Sequence, residues 1–384
     1  MAAPEPLHFD DILVAPTQSI IGHRPVVDCQ AGPLWPDFEA QTVARHCRER
    51  EPKPFDTAPT PPASIAATLP EAVWCGPLCT HFGHAVGDFA TRIPHSAHLR
   101  PDLPLLFSHW PGGEAEVPGF FPGILAQLGV APSRIVIATE ALRVGRLHVF
   151  PQAERIHGGP PAREYLALLQ RHAPPNADAA LRDATVFLSR SRIRPDTLIG
   201  RIAGEAYLDE VLRAAGCLVA YPEELSVPEQ MRLYASAGRL LFSEGSALHG
   251  LQLLGGVRAE VAVVTRRPKG RMAVGAVTPR VAALHWIDAT RGILRGRRRD
   301  GRGLDTGRGI TVLDEAALAA QLGAAFGLDL APHWDNAAWQ AACHADIRRW
   351  VKAWRAFALR RGNPPDEPAV IAQALEALGL GALA

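Results

Sequence analysis

Short apolar runs alternate with helix-period stretches along most of the chain. In the first half Ala72-Val73-Trp74-Cys75 reads as a buried strand, and Pro104–Phe107, Arg134–Ala138 and Gly145–Phe150 read as three more. Helical patterns fall at His81–Ile93, Phe120–Leu128 and Pro161–His172. The second half is clearer. Thr185–Ser189, Cys217–Ala220, Arg239–Phe242 and Glu260–Thr265 read as strands. An apolar stripe over Asp196–Ala215 closed by Gly216, a capping box at Ser226 and Glu229, and a short helix at Ser246–Leu254 lie between them. This alternation predicts an α/β protein with parallel sheets. Trp334–Arg361 and Pro368–Leu380 predict two terminal helices, the first rich in Trp.

Residues 52–62 hold five prolines and read as an extended connector within an N-terminal lobe of residues 1–180. A second lobe is expected over 181–330, with C-terminal helices over 331–384. The segment 291–309 contains seven Arg and six Gly and reads as a surface loop.

Composition narrows the class. Of 384 residues, 47% are hydrophobic, which excludes a mainly disordered chain. Forty Lys+Arg face 39 Asp+Glu, a net charge of +1 that argues against nucleic-acid binding by bulk charge. No run approaches the roughly 18 apolar residues of a membrane span. The start Met-Ala-Ala-Pro-Glu-Pro-Leu-His lacks the blocks of a signal peptide, so a cytoplasmic protein is expected. Six cysteines indicate no disulfide framework, and Cys75-x-x-x-Cys79 has no second pair at zinc spacing. P-loop and dinucleotide-binding glycine motifs are absent from the sequence.

Ligands of open parallel sheets bind beyond the carboxyl ends of the strands. Two loops there carry suitable chemistry: Ser189-Arg190-Ser191-Arg192-Ile193-Arg194, and Ser243-Glu244-Gly245-Ser246-Ala247. Guanidinium groups beside a helix N-terminus suit a diphosphate. The plain alternative is a solvated Arg edge, with Arg201 and Glu205 pairing along a helix. A serine hydrolase using Ser246 is a weaker reading, because G-x-S-x-G is missing and His285 precedes Asp288.

The stretch from Phe187 to Gly255 resembles the C-terminal lobe of glycosyltransferase family 61, which includes bacterial capsular polysaccharide biosynthesis proteins. The resemblance rests on Ser189-Arg190, Arg201 to Glu205, Pro222 to Gln230, and Glu244-Gly245-Ser246-Ala247-Leu248. Gly204 replaces the usual Asn of the family, and Glu244 stands where many members carry His. His84-x-x-x-Asp88-x-x-x-Arg92 is similar to a further family element.

The resemblance implies two Rossmann-like lobes of GT-B type, with C-terminal helices packing across them. It implies an inverting, metal-independent glycosyltransferase of capsular or exopolysaccharide biosynthesis. A nucleotide-diphosphate sugar is the implied donor, a glycan the implied acceptor, and no cofactor is implied. Arg190, Arg194, Arg201, Glu205, Glu244, Gly245, Ser246 and Ala247 are the expected donor contacts. Asp88 is the first candidate base, His84 the second and Glu244 a third, against an Asp88–Arg92 ion pair with His84 structural; because its charge would oppose a diphosphate, acceptor binding or alignment of the Arg clamp suits Glu244 better. The sequence contains no D-x-D, the usual carboxylate mount for a metal on a diphosphate. A non-catalytic sugar-nucleotide-binding or scaffold protein of glycan assembly is the alternative. The Arg-rich loop 291–308 is the expected peripheral contact with the inner membrane.

Overall fold

The computed structural model describes residues 4–20, 29–111, 116–174, 178–194, 198–296, 306–360 and 367–381. Positions 297–305, the centre of the Arg-rich loop read as a membrane contact, lie outside them. Among the described residues no helix is long and apolar enough to cross a membrane.

The first half contributes strands β1 (Leu7–Ser19), β2 (Gln30–Pro33), β3 (Cys47–Arg48), β4 (Lys53–Pro54), β5 (Ala67–Pro77), β6 (Leu105–Ser108), β7 (Ile135–Ala138) and β8 (Leu142–Val149). Six of them form one sheet in the order β2-β1-β8-β5-β6-β7, while β3 and β4 form a hairpin. The expected strands β5 to β8 pair in parallel, but β1 runs antiparallel to both β2 and β8, so the sheet is mixed. Asp10 and Asp11 make β1 look like a loop in sequence. Across the ladder they face Arg146 at 2.8 Å and Arg143 at 3.2 Å, which removes the objection to carboxylates in a strand. Helices α1 (Phe82–His84), α2 (Ile93–Leu99), α3 (Phe121–Gln127) and α4 (Arg163–Gln170) complete this half. The Pro-rich connector is tied down: Pro54 lies in β4, and Asp56 accepts from Arg45 Nε at 2.8 Å.

In the second half β9 (Thr185–Leu188), β11 (Leu218–Ala220), β12 (Arg239–Ser243), β13 (Glu260–Val264) and β14 (Ala283–Ile287) form an all-parallel sheet in the order β11-β9-β12-β13-β14. A separate three-stranded sheet holds β10 (Arg201–Ile202), β16 (Ile310–Leu313) and β15 (Thr290–Leu294). The helix expected over Asp196–Ala215 is therefore shorter: α5 covers Glu205–Ala214, and Arg201 belongs to a strand. Helix α6 (Val227–Ser236) carries the expected capping box, with Ser226 Oγ accepting from Glu229 N and Glu229 accepting from Ser226 N. Helices α7 (Val274–Val277), α8 (Glu315–Phe326), α9 (Asn336–Arg360) and α10 (Glu367–Ala377) follow.

The cores do not divide along the chain. One apolar core joins Val73, Leu105 and Phe107 of the first sheet, through Ile124 and Leu128, to Val186, Leu240, Val261 and Val277 of the second half. The C-terminal helices pack elsewhere than expected. Trp339, Trp350, Trp354, Ile371 and Leu375 lie in a core whose buried members begin at Phe187, so these helices cover the second half rather than bridging both. Gly204 is explained there: its φ of 75° is left-handed, and a Cβ would sit 2.7 Å from the Trp339 ring and 2.8 Å from Cys343 Sγ.

Candidate active site

His84, Asp88 and Arg92 lie on one helical segment, 82–99, but not on one face. Ala85–Phe89 forms a π turn and Ala90–Arg92 a 3-10 turn between α1 and α2. A five-residue turn followed by a three-residue one shifts the register that a plain α-helix would keep. His84 Nδ1 consequently meets Asp88 Oδ2 at 3.0 Å, while Arg92 swings away. The buried Arg92 guanidinium donates to the carbonyls of Phe150, Val43, Ala44 and Arg45 at 2.8–3.2 Å. The Asp88–Arg92 ion pair does not form. Arg48, from the β3–β4 hairpin, takes its place, with NH2 2.7 Å from Asp88 Oδ2 and its guanidinium 4.0 Å above the Phe55 ring.

Burial separates the roles within this pair. The Asp88 side chain is 0% exposed, and its Oδ1 has no hydrogen-bond partner among the described residues. The His84 side chain is 26% exposed. A carboxylate that is sealed and held by two donors orients an imidazole better than it reaches a substrate.

The second cluster sits at the carboxyl ends of β9, β12 and β13. Glu205, at the start of α5, accepts from Arg190 N at 2.7 Å and so fixes the loop after β9. Burial raises the Glu205 pKa, and the Arg190 N–H and charge oppose that rise. Arg190 NH2 donates to Gly200 O at 3.1 Å, and its buried Nε has no partner among the described residues. Burial lowers the Arg190 pKa, with Glu205, Glu223 and Glu244 acting to restore it. NH1 lies against Gly245, where a Cβ would come within 2.1 Å. Of the expected meeting of Arg190 and Arg194 with the backbone at residue 245, the Arg190 contact is present, and the glycine makes room for its guanidinium, while Arg194 is exposed.

Glu244 takes the arginine-aligning part among those expected of it. It is fully buried; Oε2 accepts from the backbone N–H groups of Arg266 (2.6 Å) and Arg267 (2.9 Å), and Oε1 from Arg267 Nε (2.7 Å). These bonds fold the loop after β13 over the site and bring two more guanidiniums to it. Arg266 stacks on Gly200, and burial, Arg190 and Arg267 push its pKa down to about 10 against the pull of Glu244. Arg201 is half-buried and donates to the carbonyl of Arg194, whose residue is exposed. Ala247 offers its carbonyl to Tyr234 OH at 3.3 Å.

The two clusters face each other across a close backbone approach. Ser246–Leu253 is a 3-10 helix rather than an α-helix, and it packs on the segment carrying His84 and Asp88. A Cβ at Gly83 would stand 3.1 Å from His249 Cδ2 and 3.2 Å from Ser246 Oγ; one at Gly87 would stand 3.1 Å from His249 Nδ1. Glycines at i and i+4 open that seam. His81, at the head of the segment, lies within electrostatic range of His84, His249 and Arg190.

Arg48, Arg266, Arg267, His249, Gly83 and Gly87 were not singled out from the sequence. Arg266-Arg267 directly follows a recognisable strand, and Gly83-x-x-x-Gly87 has helix-face spacing, so both were within reach; Arg48 carries no sequence signal. The serine-hydrolase arrangement is not assembled. His285 lies beside Phe326, Asp288 accepts from Thr265 Oγ1, and neither bonds to Ser246. Among the described residues no three His, Cys, Asp or Glu side chains gather where they could hold a metal ion.

No curated protein matches the chain. Residues 82–254 match the family model described as Glycosyltransferase 61, a stretch that begins on the His84–Asp88 segment and ends just past the helix that follows Gly245. That match supports membership of glycosyltransferase family 61.

Proposed function

We propose that this glycosyltransferase transfers a sugar, with inversion, from a nucleotide-diphosphate donor to a hydroxyl of a glycan acceptor. The observation that carries the reading is the Arg190–Gly245 contact at the carboxyl ends of parallel strands, with the His84–Asp88 pair on the opposite wall. The two sheets take the parts of GT-B-type lobes, 1–180 facing the acceptor and 181–330 the donor. A role in capsular or exopolysaccharide synthesis follows the family resemblance.

His84 is the base in this scheme and Asp88 the residue that orients it. Asp88 accepts from Nδ1–H, which leaves the Nε2 lone pair to take the proton of the acceptor hydroxyl. The hydroxyl oxygen bonds to the anomeric carbon as the bond to the diphosphate breaks, and the bonding pair leaves on the diphosphate. Arg190, Arg266 and Arg267 stabilise that gathering negative charge, so the positive charge is supplied by the protein itself. One such group is typically worth about 2.7–4 kcal/mol of barrier lowering.

The test is calorimetric titration with UDP, GDP and CDP, followed by the best binder's sugar conjugates. Arg190→Ala should abolish measurable binding of the nucleoside diphosphate. Unchanged affinity would overturn the reading. Donor binding with neither transfer nor hydrolysis would identify a sugar-nucleotide-binding protein of glycan assembly instead.

A further inference from the structure

His249 is an imidazole that the scheme above leaves unused. It is 6% exposed and belongs to the Ser246–Leu253 helix, with its ring against the Gly83–Gly87 backbone. Its Nδ1 is 2.6 Å from Gln252 Oε1, and Gln252 Nε2 donates to Glu154 Oε2 at 3.0 Å. Glu154 is buried and ion-paired with Arg280, which also donates to Leu254 O at 2.8 Å and Ala276 O at 2.6 Å.

This chain of bonds has one consistent assignment. A carboxylate paired with a guanidinium only accepts, so the Gln252 amide must turn its NH2 toward Glu154. Its oxygen then faces His249, which must carry its proton on Nδ1. The lone pair is left on Nε2, which has no hydrogen-bond partner among the described residues and is not sealed from solvent. Burial, with His84 nearby, lowers the His249 pKa against the pull of Gln252, which keeps the ring neutral near pH 7.

His84 lies within electrostatic range of His249, and the Gly83 backbone that His249 rests against also approaches Ser246 Oγ, next to the Gly245 contact with Arg190. In the proposed reaction the sugar in transit occupies the space between base and diphosphate. We propose that His249 Nε2 accepts a hydrogen bond from a hydroxyl of the transferred sugar, which makes His249 a specificity-determining residue with Gln252 and Glu154 positioning it. The inference rests on the donor site proposed above.

Two variants separate its parts. His249→Asn keeps a donor toward Gln252 and deletes Nε2, whereas His249→Gln restores an acceptor near the Nε2 position. The probes are UDP and GDP alone, and UDP-glucose, UDP-galactose, UDP-N-acetylglucosamine, UDP-xylose and GDP-mannose, titrated calorimetrically. With the conjugate that wild type binds most tightly, His249→Asn should bind about tenfold more weakly, the factor one neutral hydrogen bond supplies. Affinity for the bare nucleoside diphosphate should not change, and His249→Gln should recover part of the loss. Nitrogen-15 spectra of the imidazoles, assigned by difference against His249→Asn, should show the Nδ1–H tautomer. Equal loss of bare and conjugated nucleotide, no loss of either, or an Nε2–H tautomer would each overturn the inference while leaving the donor site standing. Failure of wild type to bind any nucleotide would overturn both.

Discussion

Gly245→Ala tests the donor site without removing a charge. The backbone at Gly245 is extended, with φ −178° and ψ −175°, a conformation open to alanine, so the substitution acts through space alone. The added methyl would stand 2.1 Å from Arg190 NH1, 2.8 Å from Cζ and 2.9 Å from Cδ, against ordinary contacts of 3.4 Å or more. The guanidinium must retreat by more than an ångström and strain its bond to Gly200 O. Crowding of this kind costs about 1–3 kcal/mol of stability. Losing a charge-assisted hydrogen bond to the diphosphate costs about 1.5–3 kcal/mol of binding, or about 10- to 150-fold in Kd. Titration of the folded variant with UDP and GDP reads this directly, with Arg190→Ala and Arg190→Lys beside it. A Gly245→Ala protein that binds within twofold of wild type, while Arg190→Ala does not, would refute the role given to the contact.

Other expectations concern the base, the seam between the halves and acid stability. Asp88→Asn should lower sugar-nucleotide turnover by about 10²- to 10⁴-fold with nucleoside-diphosphate affinity intact; turnover within threefold of wild type would remove Asp88 from the mechanism. Glu154→Leu alone leaves Arg280 buried without its partner and should cost about 3–5 kcal/mol in urea denaturation, most of which Glu154→Leu with Arg280→Met should restore. If the double variant is as unstable as the single, the pair is not an isolated unit. Burial depresses the pKa of His46 and His249, and holds His95 at about 4. These rings take up protons at lower pH in the folded chain than in the unfolded one, which does so below pH 6.5. Stability should therefore fall as the pH drops below 6.5, by up to about 1.4 kcal/mol per pH unit for the fully buried His46. Urea midpoints from pH 7 to 4.5 measure it, and a slope unchanged in His46→Gln would refute the share assigned to His46.

The parallel strands around β9, β12 and β13 were legible because each is a β-branched or aromatic run bounded by a cap or glycine. Strand β1 was not, since its carboxylates are answered by arginines more than 130 positions away. The same distance problem hid Arg48, whose partner Asp88 is contributed by another element. Helix spacing placed His84 and Asp88 together but misassigned Arg92, because no sequence rule announced the π turn at Ala85–Phe89. For residue 244 the sequence allows alignment of arginines but does not say which ones. A glutamate beside a phosphate site looks electrostatically awkward until the two backbone N–H groups and the guanidinium it holds are known.

The apolar core shared by the two halves bears on how this enzyme can be re-engineered. Exchanging the second half for that of a relative, to graft a new donor preference, would cut through Ile124, Val227 and Leu251 and orphan either Glu154 or Arg280. A working chimera must carry both faces of that seam from the same parent, which makes the junction, rather than the connector 52–62 or the chain midpoint, the unit of transplantation.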